Sequence, residues 1–165
     1  MTWFLRAVRN LSLTLWIGGL AFFAFVVAVV AFRSLPDAHT AGLVVRGTLL
    51  NLHRIGIIAA IAYIAATMAL IATSRDSHVV RAIEVVVAAL MLVATLYSQF
   101  SIIPRMEEDR LAAGGDIMTA PLDSPARTRF EQLHKRSEHT EGFVLFAGVA
   151  LVLLAPLHQR DRLSA

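Results

Sequence analysis

The chain has 165 residues, 57% of them hydrophobic and only 16% charged, with a formal net charge of +3 and no cysteine. A soluble domain carries about 25% charged residues; here the apolar surplus is clustered and the mean hydropathy is +0.67, which points to a membrane protein. The lack of cysteine excludes disulfides, thiolate metal sites and a cysteine nucleophile. The basic residues lie between apolar spans, where membrane topology accounts for them without nucleic acid as a partner.

The expected fold is all-α: an integral membrane four-helix up-down bundle in a single domain, residues 1–165. The first span, about 11–32 (LSLTLWIGGLAFFAFVVAVVAF), is uncharged and long enough to cross a ~30 Å hydrocarbon core, which takes ~20 helical residues. It is too long for a signal peptide and is read as retained. The second span covers about 49–73. The third covers about 79–103 and is expected to close at Pro104, which a continuing helix would resist. The fourth, about 138–157, is short in purely apolar residues and must draw on the charged stretch before it. Ser124 is a natural N-cap and Pro125 a natural first helical residue. Nothing then breaks the helix before Pro156, so residues 125–137 form a helical extension outside the bilayer, and 111–124 (LAAGGDIMTAPLDS) form a flexible linker.

Four spans place both termini on one side, with the loop around ATSRDSHVV. The density of arginines in those short segments favours cytoplasmic termini, and the expected location is a bacterial inner or plasma membrane.

Polar side chains within a span face the bundle interior. On the second helix His53, Gly56, Ala60, Tyr63 and Thr67 recur at steps of 3 and 4 and share one face. Tyr97, Ser98, Gln99 and Ser101 gather at the end of the third. On the fourth, Phe130, His134, Ser137 and Glu141 share a face. The spacing places His53 and His134 in one layer at one end of the bundle, with Glu141 slightly below. Imidazoles from two helices are ligands for Zn, Cu or Fe, or axial ligands for haem b. Arg54, Arg46 and Arg136 are cations that could meet haem propionates. The competing reading makes both histidines interfacial residues, hydrogen-bonded to Tyr97, Ser101 or Glu141.

Glu131-x-x-His134 has the carboxylate–histidine spacing of di-iron bundles but occurs once, whereas such a centre needs it on two helices with two further glutamates. Glu107, Glu108 and Asp109 read as a solvated cap, and Glu84 as a near-surface carboxylate that Arg81 could neutralise. No P-loop, Gly-x-Ser-x-Gly, HExxH or GxGxxG occurs, so the sequence supports no hydrolase or nucleotide-dependent enzyme.

The segments LWIGGLAFF, LNLHRIG, FSIIPRMEEDR and FEQLHKRSE together resemble the transmembrane-protein-205-like family, four-helix membrane proteins within a copper-resistance D-like superfamily, over roughly residues 10–157. Glu141 stands where many relatives have asparagine. The resemblance implies metal or haem chemistry through membrane histidines. The functional expectation is therefore a metal ion or haem held by His53 and His134, with Glu141 as a further metal ligand and Tyr63, Tyr97, Ser101, Ser137 and Arg54 in support. The alternatives are a non-catalytic accessory subunit of a larger membrane complex, docked through the projecting helix, and a small-solute or metal transporter that must form a homo-oligomer to enclose a path.

Overall fold

In the computed structural model, residues 2–73 and 78–154 are described. The C-terminal end of the expected fourth span, Pro156, and the centre of the ATSRDSHVV loop lie outside them. All regular structure among the described residues is helical, in four long elements: α1 (Thr2–Ser34), α2 (Ala38–Thr73), α3 (His78–Ala112) and α4 (Pro125–Leu154). All four are long and apolar enough to cross a membrane. Each packs on its neighbours in chain order, and α4 returns to α1, closing the ring of an up-down bundle.

The core runs down the bundle axis through Leu13, Trp16, Ile17 and Leu20 of α1, Ala59, Ala60 and Tyr63 of α2, Ala88 and Met91 of α3, and Val144 and Leu151 of α4. Large apolar side chains such as Phe25, Ile58, Val93 and Phe146 point outward. In water that would be a liability; around a spanning bundle it is the surface that lipid covers. Small residues set the spacing. A Cβ on Gly148 would collide with Ile17 Cδ1, and one on Gly56 would come within 2.9 Å of the Trp16 indole, so α4 and α2 approach α1 as closely as backbone allows.

Three helix limits differ from the sequence reading. α1 begins at Thr2, nine residues before the expected first span. α2 begins at Ala38, eleven residues before the apolar span. Asp37 accounts for the early start: its Oδ1 accepts from the Thr40 backbone N–H (2.7 Å) and its Oδ2 from the Thr40 hydroxyl (3.0 Å), an N-terminal cap. α3 does not stop at Pro104 but continues to Ala112. Residues Ser98–Ile102 form a π-turn, in which Ile103 N–H bonds to Ser98 O, five residues back. Pro104 then stands in the first turn of the distal helical segment, where a missing N–H costs least. A second π-turn, Phe23–Val27, interrupts α1.

Three helices therefore project on the same side and form a cap. Arg129 of α4 donates to Asp109 of α3 through Nε (2.9 Å) and Nη2 (2.6 Å). Arg127 Nη1 binds the linker carbonyl of Ala120 at 2.9 Å. Glu107 accepts from Arg110 and lies 3.5 Å from Arg46 Nε. Gly114 and Gly115, both at positive φ, turn the chain off the end of α3, and Arg110 Nη1 binds the Gly115 carbonyl. The linker 111–124 is thus tied down at both ends. Ser124 caps α4 as expected, its Oγ accepting from Arg127 N–H at 3.2 Å.

Candidate functional site

At the projecting end of the bundle, three helices contribute to one buried polar cluster. His53 sits on the face of α2 that also carries Gly56, Ala60, Tyr63 and Thr67, all buried. Its Nδ1 lies 3.1 Å from Gln99 Oε1, and its Nε2 lies 2.9 Å from Glu141 Oε1. Ser98 Oγ donates to the same Glu141 oxygen at 2.8 Å. His53 is 3% exposed and the Glu141 side chain 15%.

The π-turn makes this convergence possible. In an α-helix, consecutive residues point ~100° apart; the wider turn brings both Ser98 and Gln99 inward, where both are buried. The expected partners Tyr97 and Ser101 are displaced by them: Tyr97 is 45% exposed, and Ser101 is half-buried outside the cluster.

The structure unites His53 with Glu141 but does not bring His134 to them. His134 is two turns earlier on α4, about 10 Å along the axis at 1.5 Å per residue. Its side chain is 54% exposed and lies 3.4 Å from Glu138, with its ring stacked on Phe130. The layer that holds His53 coincides with Glu141, one helical stage deeper than the apolar boundaries alone indicate. Ser137, one turn before Glu141 on α4, is buried. Arg54 points away and meets Asn51 at 3.4 Å, and Arg46 is engaged with Glu107. Glu131 pairs with Arg127. Among the described residues, no three His, Cys, Asp or Glu side chains group closely enough to hold a metal ion.

Tyr63 also lies elsewhere. It is ten residues past His53, about 15 Å along α2, towards the terminal end. There Arg9 of α1 reaches Glu84 of α3 at 3.2 Å, with both side chains buried, and Arg81 Nη1 donates to the Leu70 carbonyl in the last turn of α2 (3.0 Å). Glu84 is fully buried rather than near-surface. The sequence alone gave no reason to bring Arg9 to it, since that contact spans 75 positions.

The hydrogen-bond chemistry of the His53 cluster is specific. Gln99 turns Oε1 towards His53 Nδ1, an arrangement in which Nδ1 carries the hydrogen and Nε2 faces Glu141. Nε2 and Oε1, 2.9 Å apart, are at hydrogen-bond distance and share one hydrogen. A proton there makes either imidazolium with carboxylate or imidazole with carboxylic acid, each neutral overall.

A four-helix bundle of membrane-spanning length with a buried acid–base pair at one end defines a class, the small polytopic membrane protein. Within that class the chain belongs to the family described as a domain of unknown function, DUF4149, whose pattern matches residues 11–113, more than half of the sequence. That match holds His53, Ser98 and Gln99, while Glu141 lies beyond it. No curated protein and no solved structure matches the chain.

Proposed function

We propose that the working centre of this membrane protein is a cation site between His53 Nε2 and Glu141 Oε1, occupied by a proton. The observation that carries it is the 2.9 Å contact between these two electron-pair donors, with Gln99 fixing the imidazole tautomer and Ser98 holding the carboxylate. Membrane-embedded histidine–carboxylate pairs are suited to proton relay. Ile17, Met91 and Val144 fill the centre of the bundle, so the pair is reached from the projecting end. Such a component would couple proton binding to transport in an oligomer or to a partner subunit. No other charged side chain among the described residues is bonded to the pair.

Glu141→Gln tests this, because the amide can donate to His53 Nε2 and keep the hydrogen bond without a titratable carboxyl. Infrared pH-difference spectra of the protein in nanodiscs should lose a carboxyl band and a coupled imidazole band together in the variant; loss of the carboxyl band alone would overturn the proposal.

A second reading is favoured by the same tautomer lock. An Nδ1–H held by an acceptor is how proteins orient a metal-bound imidazole, and the proton between Nε2 and Oε1 could exchange for Zn, Cu or Fe. Elemental analysis of purified wild type, His53→Ala and His134→Ala separates the possibilities. Metal lost only in His53→Ala places it at this pair, and metal lost in both variants restores His134 as a ligand. Metal-free wild type leaves the proton as the occupant.

A further inference from the structure

The seam between α3 and α4, beyond the apolar run of α3, holds an open cleft of about 330 Å³ lined by Arg105, Glu108, Asp109, Ala112, Arg129 and Leu133. We infer that this cleft is a binding site for a zwitterionic phospholipid headgroup, specifically phosphoethanolamine.

Position comes first. Arg105 is two residues beyond Ile103, about 3 Å above the apolar limit of α3, and Leu133 is five residues before the expected membrane boundary of α4, about 7–8 Å above it. A bilayer of 40–45 Å with a 30 Å core leaves roughly 5–8 Å of headgroup on each side, so the cleft lies in and just above that layer. Below it, Val93, Tyr97 and Phe100 of α3 stand at steps of 4 and 3, all exposed. They form a lipid-facing rail that leads up to Arg105 and Glu108. An acyl chain lying on that rail delivers its headgroup to the cleft.

Charge comes second. The lining carries two cations and two carboxylates, a sum of zero. Asp109 is buried and already neutralised by Nε and Nη2 of Arg129, which leaves Arg105 and Glu108 on the walls, both exposed. A site for a simple anion would show surplus positive charge. Separated charges that cancel match a ligand that is itself a zwitterion: phosphate against Arg105 and the outer edge of Arg129, ammonium against Glu108. A primary ammonium has N–H donors to offer a carboxylate; the quaternary ammonium of choline has none.

The test is native mass spectrometry of the full-length protein with phosphatidylethanolamine, phosphatidylcholine and phosphatidylglycerol of matched chains. Phosphatidylethanolamine should bind about tenfold tighter than either competitor, the effect of one charge-assisted hydrogen bond. Glu108→Gln should abolish the preference over phosphatidylcholine, and Arg105→Gln should weaken all three phospholipids. Both positions are exposed, so thermal melts should confirm intact folds. Equal binding of the three lipids by wild type, or retained preference in Glu108→Gln, would refute the site. Soluble phosphoethanolamine raising the melting temperature as much as the lipid would also overturn it as a lipid site.

Discussion

Gln99 shows how much can hang on one neutral side chain. Replacing it with Leu leaves His53 Nδ1–H buried without an acceptor, and such an orphan costs about 1–3 kcal/mol. Denaturant unfolding of Gln99→Leu in detergent should register that loss, whereas Tyr97→Phe, at an exposed position, should change stability by less than about 0.5 kcal/mol. Gly148 carries a different kind of constraint. Alanine there drives a methyl group into Ile17 and should cost about 1–3 kcal/mol by overpacking. Ile17→Ala in the same chain should recover part of it, a coupling that a double-mutant cycle measures. His53 and Glu141 were legible in the sequence because polar groups are so sparse in these spans that periodicity singles them out. Their hydrogen bond stood in the sequence as one of three partner choices; which histidine makes it did not, because apolar boundaries set depth only to within a turn or two, and His134 looked level with His53 on that ruler.

The elements tell where local rules held and where they gave way. Ser124 and Pro125 marked the start of α4 correctly, since capping depends only on neighbours in sequence. Pro104 misled because its effect depends on the hydrogen-bond register before it, and the π-turn at Ser98–Ile102 supplies a register that tolerates it. That turn acts as an inserted residue. Deleting lipid-facing Phe100 should restore an α-helical turn while leaving the cap beyond it in place. One of Ser98 and Gln99 should then rotate away from the cluster, lowering stability by about 1 kcal/mol.

The cap also has a defined acid limit. The Arg110 guanidinium beside Glu107 holds its carboxyl below the ordinary glutamate value, with Arg46 adding to the effect. A lowered value in the folded state means the stabilisation is complete above the ordinary glutamate value and is lost as pH falls through the lowered one. Melting temperature should therefore drop more steeply in acid for wild type than for Glu107→Gln.

At the scale of the whole molecule, the bundle architecture followed from composition and span length, while the union of α1 with α3 through Arg9 and Glu84 did not, because side chains 75 positions apart share no local signal. Removing one partner of a buried pair costs about 3–5 kcal/mol, whereas replacing both with apolar residues can be neutral. Arg81, buried three residues from Glu84, remains in either variant, so Arg9→Met should recover only part of the loss that Glu84→Leu causes, as thermal unfolding will show. The two polar centres lie at opposite ends of a dry core of Trp16, Ile17, Ala60, Met91 and Val144. A dry layer has a low dielectric constant, so much of a membrane potential falls across it rather than across the wetter ends. An elementary charge carried through the whole potential changes energy by about 2.3 kcal/mol per 100 mV. The core that packs the bundle is thereby also an electrical insulator, and the proton proposed between His53 and Glu141 would sit at one edge of it, with Arg9 and Glu84 at the other.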